Sequence, residues 1–297
     1  MYENPFAQNG IWLKANLHSH TTESDGRLSP AEKAIHYRRQ GYQVLAITDH
    51  SRVTPCADYN ARDFICIEGV EVSAGRTETG DNYHVVGVGL SVDSKVPQAS
   101  TESPQTVLDA IAAEGGVGFI AHPYWSSLTG HDMLGLKNCM GMEVFNYGCE
   151  IEIGKGTSSI HWDDCLVRGE KYIAFATDDG HRCGWDFYGG FTMIHAKEFT
   201  REAVMQALHT GQCYSSTGPL ISDLRIEDDM ITVECTPASA INFIANNHHG
   251  WSIQKEDRPA LTQARYLIGG RERYVRVEVI SETGLRAWSQ PIWFNEG

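Results

Sequence analysis

Gln43-Val44-Leu45-Ala46-Ile47, running into Thr48-Asp49-His50, is the stretch on which the fold turns. The run is short and nearly all apolar, without the polar alternation of a strand that has one wet face. Such a run reads as a strand buried on both sides, as in a parallel sheet. Its polar tail then falls where the strand leaves the sheet. Upstream, Ser29-Pro30-Ala31-Glu32 sets Ser at an N-cap, Pro at N1 and Glu at N3, so a helix starts there and runs to about Gln40, before Gly41. Before that helix, Ile11-Trp12-Leu13 reads as a strand leading into Leu17-His18-Ser19-His20 and Ser24-Asp25-Gly26. Residues two apart on a strand share a face, so His18 and His20 aim at one point, and Gly26 lets the loop carrying Asp25 turn sharply. A lone His-x-His is equally readable as a polar loop.

The same event recurs downstream. Phe64-Ile65-Cys66-Ile67 leads to Glu68 and then Glu71, and Tyr83 to Leu90 is strand-like with His84 at its start. A helix over about Pro104 to Ala113, capped by Ser103, precedes a strand from Val117 to Ala121 that ends in His122-Pro123. Met142 to Phe145 leads to Asn146. A helix around Trp162 to Arg168 precedes Tyr172 to Ala176, which ends in Thr177-Asp178-Asp179-Gly180-His181. Phe191 to Ala196 is another strand, and Thr200 caps a helix ending near Gly211. Short buried strands alternating with helices about seven times predict a parallel α/β fold. Polar residues collect at strand C-terminal ends, where barrels of this class keep their active sites. A closed or distorted (β/α) barrel is therefore expected. The alternative, an open doubly wound sheet, would use a Gly-rich phosphate loop that the sequence lacks. From Thr217-Gly218-Pro219 the helical pattern stops. Leu224-Arg225-Ile226 and Ile231-Thr232-Val233-Glu234 flank the turn Glu227-Asp228-Asp229, and Tyr274 to Val279 alternates with period two. The expected division is a barrel over 1–218 and a small antiparallel β unit over 219–297.

The 297 residues carry 24 Lys and Arg against 38 Asp and Glu, a formal net charge of −14. Such a surface repels nucleic acid polymers and anionic membranes, so neither is expected as a partner. Bound divalent cations would invert that field locally, which leaves a small anionic substrate open. None of the eight cysteines forms a C-x-x-C pair, and Met1-Tyr2-Glu3-Asn4-Pro5 has no leader character. A cytoplasmic protein with reduced thiols is expected; the sequence leaves the oligomeric state open.

Side by side, the polar positions are His18, His20, Asp25, His50, Glu71, His84, His122, Asp179 and His181. Six are histidines, out of 13 in the chain, and their accumulation points to metal chemistry rather than a serine or cysteine triad. At this point the sequence resembles the PHP (polymerase and histidinol phosphatase) family. The resemblance lies in His18-Ser19-His20, Asp25-Gly26, Thr48-Asp49-His50, Gly69-Val70-Glu71, His84, His122-Pro123 and Asp179-Gly180-His181, in the family's order over about two thirds of the chain. It implies a distorted (β/α)7 TIM-like barrel, two or three divalent metal ions (zinc, manganese or iron) and phosphoester hydrolysis. Ala176 to His181, Tyr214-Ser215-Ser216-Thr217-Gly218-Pro219 and the β-rich tail are similar to the CehA/McbA-like branch, named after a carbaryl hydrolase. The chain departs from some members with Asp25 in place of His, and with Asp178-Asp179 in place of Ser-Asp.

Carried over by position, the resemblance implies three sites: His18, His20, Glu71 and Asp179; Glu71, His84 and His122; and Asp25, His50 and His181. Glu71 would bridge the first two, and Glu71, Asp179 and His181 would be catalytic, with a metal-activated hydroxide as nucleophile. Arg182 is a candidate substrate-binding residue or a surface salt-bridge partner. Asp49 is expected to cap a helix or orient His50, and Glu68 to support the site or simply close a strand. The tryptophans of the tail are expected in its core rather than as a ligand platform. The leading function is a metal-dependent phosphoesterase acting on a small substrate; the same centre acting on a carbamate, ester or amide is the alternative, and a metal-binding regulatory module without turnover is a third.

Overall fold

The computed structural model describes residues 4–97, 101–257 and 259–294. Met1 to Glu3, on which part of the leader reading rests, and the last three residues of the 219–297 unit lie outside them. The first strands form where the apolar runs predict: β1 (Ile11–Asn16), β2 (Val44–Ile47), β3 (Ile65–Ala74), β4 (Tyr83–Val88), β5 (Val117–Ile120), β6 (Cys139–Asn146), β7 (Ile173–Thr177) and β8 (Phe191–Ala196); β9 (Cys213–Ser216) is a further strand that no apolar run marks. Every residue of β2, β5 and β7 is buried, as their uniform apolarity requires.

Five α-helices pack among them in the described residues: α1 (Pro30–Arg39), α2 (Pro104–Ala113), α3 (Tyr147–Ile153), α4 (Ser159–Val167) and α5 (Arg201–His209). Ser29 and Glu32 close a full capping box on α1, Ser103 caps α2 and Thr200 caps α5. α3 is absent from the sequence reading, since its seven residues carry no apolar period. It follows β6 directly, with the Asn146 side chain accepting from the Cys149 N–H.

The sheet runs β8-β1-β2-β3-β4-β5-β6-β7, and here the expected alternation needs correcting. β1, β2 and β3 are parallel, as are β5, β6 and β7, but β4 is antiparallel to both its neighbours. β8 runs antiparallel to β1, and β9 to β8. No helix separates β3 from β4 or β7 from β8, so those pairs lack the crossover a parallel connection needs. The reversal of β4 has a use: its first turn of chain, with His84, lies on the side where the parallel strands end.

Alternate residues from nearly all these strands share one cluster, including Leu13, Val44, Ile67, Val86, Phe119, Phe175 and Ile194. The opposite strand faces meet the helices, with Val85, Ile120, Val144 and Ala174 packing on Leu108, Ile111 and Trp162. Among the described residues no ladder joins β7 to β8. Side chains stand in instead. The Gln290 amide accepts from the Ala174 N–H at 2.8 Å and donates to the Ala174 carbonyl at 2.9 Å, and Thr192 Oγ1 does the same for Ala176 at 3.2 and 3.0 Å.

The remaining strands are β10 (Ile221–Glu227), β11 (Met230–Ala238), β12 (Ala240–Ala245), β13 (Gly250–Gln254), β14 (Leu261–Leu267), β15 (Tyr274–Ile280), β16 (Arg286–Trp288) and β17 (Ile292–Trp293). Asp228 and Asp229 take φ of 47° and 62°, the left-handed pair that a tight β10–β11 hairpin requires. β10, β11 and β14 form a separate sheet, while β12, β13, β15 and β16 continue the main sheet through β9. The join is also ionic. Buried Arg276 on β15 donates two hydrogen bonds to Asp163 on α4, at 2.7 and 2.6 Å, with its guanidinium 4.9 Å from the Trp162 ring. Of the tail tryptophans, Trp288 is buried as expected, but Trp251 is 67% exposed on the edge strand β13. Among the described residues no helix is long and apolar enough to cross a membrane.

Candidate metal centre

The strand ends are stitched before any side chain is considered. Thr48 N–H donates to the Ser19 carbonyl at 2.9 Å, Asp179 N–H to His18 at 3.0 Å and His20 N–H to Gly180 at 3.2 Å, so the ends of β1, β2 and β7 meet. A Cβ at Gly26 would lie 2.3 Å from the His20 carbonyl oxygen, so only glycine lets the Asp25 loop fold back this closely. His122 and Asp179 have φ of 27° and 52°, values that side-chain-bearing residues adopt at a cost and that cluster at functional sites.

All nine candidate ligands converge there. Glu71 is the hub, and it lies inside β3 rather than at its end, because β3 continues past it to pair with β4. Its Oε2 is 3.3 Å from His18 Nε2, 3.2 Å from His20 Nε2 and 3.0 Å from His50 Nδ1. Its Oε1 is 2.7 Å from His84 Nδ1 and 3.2 Å from His122 Nε2. Asp179 Oδ1 lies 3.2 Å from His18 Nε2 and 3.0 Å from His20 Nε2, which are 3.1 Å apart. Asp25 sits outermost, 3.4 Å from His181 Nε2 and 3.6 Å from His50 Nε2. Donor atoms thus gather in three groups, each within 4.8 Å: His18, His20, Glu71 and Asp179; Glu71, His84 and His122; and His20, Asp25, His50 and His181.

These atoms fit a cation better than they fit one another. His18 Nδ1 is 2.7 Å from Glu143 Oε1; a carboxylate only accepts, so Nδ1 holds the proton and Nε2 offers a lone pair to the cage. His181 likewise donates from Nδ1 to the Asp179 carbonyl at 2.7 Å, which leaves Nε2, 3.4 Å from Asp25, as the ring atom able to meet a cation. Lone pairs on nitrogen and carboxylate oxygen this close repel unless positive charge lies between them. Asp179 Oδ1 is buried, and no N–H or O–H among the described residues is angled to donate to it. Five of the six edges joining His18 Nε2, His20 Nε2, Glu71 Oε2 and Asp179 Oδ1 measure 3.0–3.3 Å. A tetrahedron of that size has its centre about 2 Å from each corner, the length of a zinc–nitrogen or zinc–oxygen bond.

Where no cation is bound, protons on the rings supply the positive charge that the carboxylates call for. Burial works against a positive His18 ring, yet Asp179, Glu71 and Glu143 overcome it and hold its pKa well above the ordinary value. Burial would raise Glu71, but His18 and His84 hold it well below the carboxylate range; His18 and His20 do the same for Asp179. Burial lowers His181 less than Asp25 and Asp179 raise it, and it stands at about 9. The carboxylates remain ionised in a buried pocket, a field that attracts cations.

The structure gives four more residues their surroundings. The Asp49 carboxylate accepts from Thr21, Ser24 and Thr54 hydroxyls at 2.6–2.7 Å, rather than from the His50 ring, and so braces the loop after His20. Asp178 is turned away from the cage. It accepts from Tyr37 and from the N–H groups of Tyr188, Gly189 and Gly190, and burial pushes it up to about 6. Glu68 accepts from the Cys56 N–H at 3.3 Å and faces Arg201. Arg182 makes no ion pair among the described residues; it lines the cavity with its guanidinium 5.1 Å from the Trp185 ring.

The residue that sequence reasoning missed is Glu143. It is fully buried and accepts four hydrogen bonds at 2.7 Å, from His18 Nδ1, the His122 N–H, Asn146 Nδ2 and Thr177 Oγ1. Its signal was present: a lone carboxylate in the apolar run Met142 to Phe145 needs a buried partner. In front of the ligands opens a cavity of about 420 Å³, whose walls include Trp125, Cys149, Glu152, Arg182 and Trp185. Outside it, His195 on β8 packs against Trp12, and His36 on α1 meets Cys183 and Tyr188.

No protein-family model matches the chain. It is 33% identical over 107 residues to a 5'-3' exoribonuclease of Haemophilus influenzae, covering 35% of this chain and 38% of that protein. It is 33% identical over 81 residues to the DNA polymerase/3'-5' exonuclease PolX of Bacillus subtilis, covering 27% of this chain and 14% of that one. The chain thus spans well under half the length of either relative. Both are named for work on nucleic acid, so the expectation that excludes nucleic acid finds no support in them. Among solved structures, a two-domain protein from Bacteroides vulgatus described as containing a predicted PHP-like metal-dependent phosphoesterase matches with a TM-score of 0.52 and 16% identity over 96% of this chain and 95% of that one. At that identity the likeness is one of fold, and it extends over both the strand–helix portion and the β-rich tail.

Proposed function

We propose that the chain is a metal-dependent hydrolase of the PHP type, of the CehA/McbA-like branch, acting on a small phosphorylated substrate. A distorted barrel over 1–218 carries the chemistry in this reading, and 219–297 is an appended β unit. The bridge between Ser19 and Gly180 supports the barrel, since it brings the end of β7 back to the end of β1.

The observation that carries the proposal is the division of Glu71, with Oε2 facing one ligand group and Oε1 another. A carboxylate shared in this way suits two divalent cations. When bound, such cations lower the pKa of a coordinated water to about 7 and neutralise charge building on the attacked group. The chain's own residues do the rest. His18, His20 and Asp179 complete the inner group, and His84 and His122 the second. Asp25, His50 and His181 form the outer group, which faces the cavity. Glu143 and the Asp179 carbonyl hold the Nδ1 protons of His18 and His181, so both rings present lone pairs inward. Three divalent cations would bring up to six positive charges, offset only in part by Asp25, Glu71 and Asp179, and that surplus would favour an anionic phosphoryl group over a neutral carbonyl. Arg182 at the cavity wall adds a fork suited to phosphate oxygens.

The test is hydrolysis by the purified full chain, with manganese, zinc or iron(II) supplied. The substrates are p-nitrophenyl phosphate, a short oligonucleotide and a naphthyl carbamate. Turnover of the phosphate, inhibited competitively by inorganic phosphate and abolished by a chelator, is expected. Faster carbamate turnover without phosphate inhibition would overturn the phosphoester reading.

A further inference from the structure

The cavity in front of the centre has walls that phosphoryl binding does not explain. Two tryptophans from separate segments face the same space: Trp125, in the loop after β5, and Trp185, in the loop after β7. Trp185 leaves 45% of its surface exposed beside a cluster of ionised groups. Its loop is held in place. Asp186 accepts from the N–H groups of His181 and Arg182 at 2.8 and 2.7 Å, and the Trp185 N–H donates to the Arg182 carbonyl at 3.1 Å. The Arg182 guanidinium sits over its ring.

Trp125 is fixed from two sides. Its Nε1–H donates to Glu152 Oε2 at 3.2 Å, and its ring lies edge-on at 5.0 Å from His122 and 6.0 Å from His84. It therefore adjoins the second ligand group directly, while Trp185 stands beside the outer one.

We infer that this cavity is a leaving-group subsite for a planar aromatic or heteroaromatic ring, lying between Trp125 and Trp185 with its phosphoryl group at the metal centre. The inference rests on the phosphoester reading and adds the group on the far side of the scissile bond. A flat ring gains from stacking on indole and guanidinium faces, which a short alkyl chain does not. Glu152 adds an acceptor for a ring amine or hydroxyl. About 420 Å³ accommodates a ring with a phosphate. A nucleobase and a simple aryl group share this chemistry.

The test compares 2-naphthyl phosphate, a nucleoside 5'-monophosphate and glycerol 2-phosphate on the full-length metal-loaded protein and on W185A and W125A. In each variant the ratio of kcat/KM for ring-bearing substrate to that for glycerol phosphate should fall about tenfold. Comparing ratios removes the intrinsic reactivity of each leaving group. Calorimetry supplies a readout that needs no turnover: 2-naphthylmethylphosphonate should bind at least tenfold more tightly than methylphosphonate, and W185A should erase most of that difference. Whichever of the naphthyl and nucleoside substrates has the lower KM names the source of the ring. If no phosphoester is turned over, the phosphoester reading fails while the two phosphonates still decide the subsite. Equal binding of the two phosphonates, or unchanged selectivity in both variants, overturns the inference.

Discussion

Glu143→Gln is the sharpest perturbation available, because it alters one atom at a site that touches two ligand groups at once. The carboxylate accepts from His18 Nδ1 and Thr177 Oγ1 with one oxygen, and from the His122 N–H and Asn146 Nδ2 with the other. An amide has only one accepting end. If that end stays on the His122 N–H, the new NH2 confronts the His18 Nδ1 proton. The ring must then move its proton to Nε2, which points into the cage 3.1–3.3 Å from its neighbours. If the amide flips, the backbone of His122, already at φ 27°, loses its acceptor. Hydrogen bonds to charged groups contribute about 1.5–3 kcal/mol each. Outer partners of metal-bound histidine are worth about 10–100-fold in metal affinity, or about 1.4–2.8 kcal/mol. Zinc affinity should therefore drop by at least tenfold in chelator competition, with the loss felt at the inner and second groups together. Thr177→Val is the control; it removes a donor to the same oxygen but leaves the imidazole contact, and should cost less than threefold. Thermal unfolding of the metal-free variants separates folding from binding. A folded Glu143→Gln protein with wild-type stoichiometry and affinity would refute the positioning role.

Glu71→Gln should lower metal content and reduce turnover more than any single histidine change, since among the described residues Glu71 alone serves two groups through different oxygens; metal analysis beside kcat/KM decides it. Among the described residues, Asp163→Ala leaves buried Arg276 with Glu278 at 3.4 Å as its one remaining carboxylate, so stability should fall by about 3 kcal/mol in urea titration while metal content holds. Lys33 is pushed by burial, against the pull of Asp186 and Asp178, from 10.5 to about 8. The unfolded chain then binds more protons between pH 8 and 10.5. Stability from this group rises with pH through that window by about 3 kcal/mol and is lost as pH falls back toward 8. Lys33→Met should flatten that slope relative to wild type, and parallel pH–stability curves for the two proteins would contradict it.

Which features were legible in the sequence follows from the range of the forces involved. The capping box at Ser29 and Glu32, the buried run of β2 and the Asp228-Asp229 turn are decided within a few residues, so local chemistry sufficed. Strand direction is decided elsewhere. β3 and β4 read as two apolar strands, and nothing inside either one says whether the other runs with it. Only the short connection between them, with no helix, forces the antiparallel pairing. The same holds for Gln290, whose amide lies 116 residues from the Ala174 backbone that it satisfies.

The candidate ligands were legible for a different reason. Histidines spaced two apart, or set next to glycine at a strand end, have little packing use, so they stand out against an apolar background. Glu143 and Trp125 did not stand out, because a carboxylate inside a strand and a tryptophan in a loop each have ordinary explanations. What distinguishes them is their partners. Glu143 accepts hydrogen bonds from His18 Nδ1 and the backbone N–H of His122, so a single buried charge fixes a candidate ligand in each of two groups. The centre is therefore held from behind by a carboxylate that lies outside all three groups of candidate ligands. The separation has a physical logic. Residues that meet a cation must leave lone pairs free, so they cannot also hold one another in place. The holding falls to Glu143, Asn146 and the Asp179 carbonyl, whose hydrogen-bonding capacity is spent on neighbouring ligands rather than on the cage.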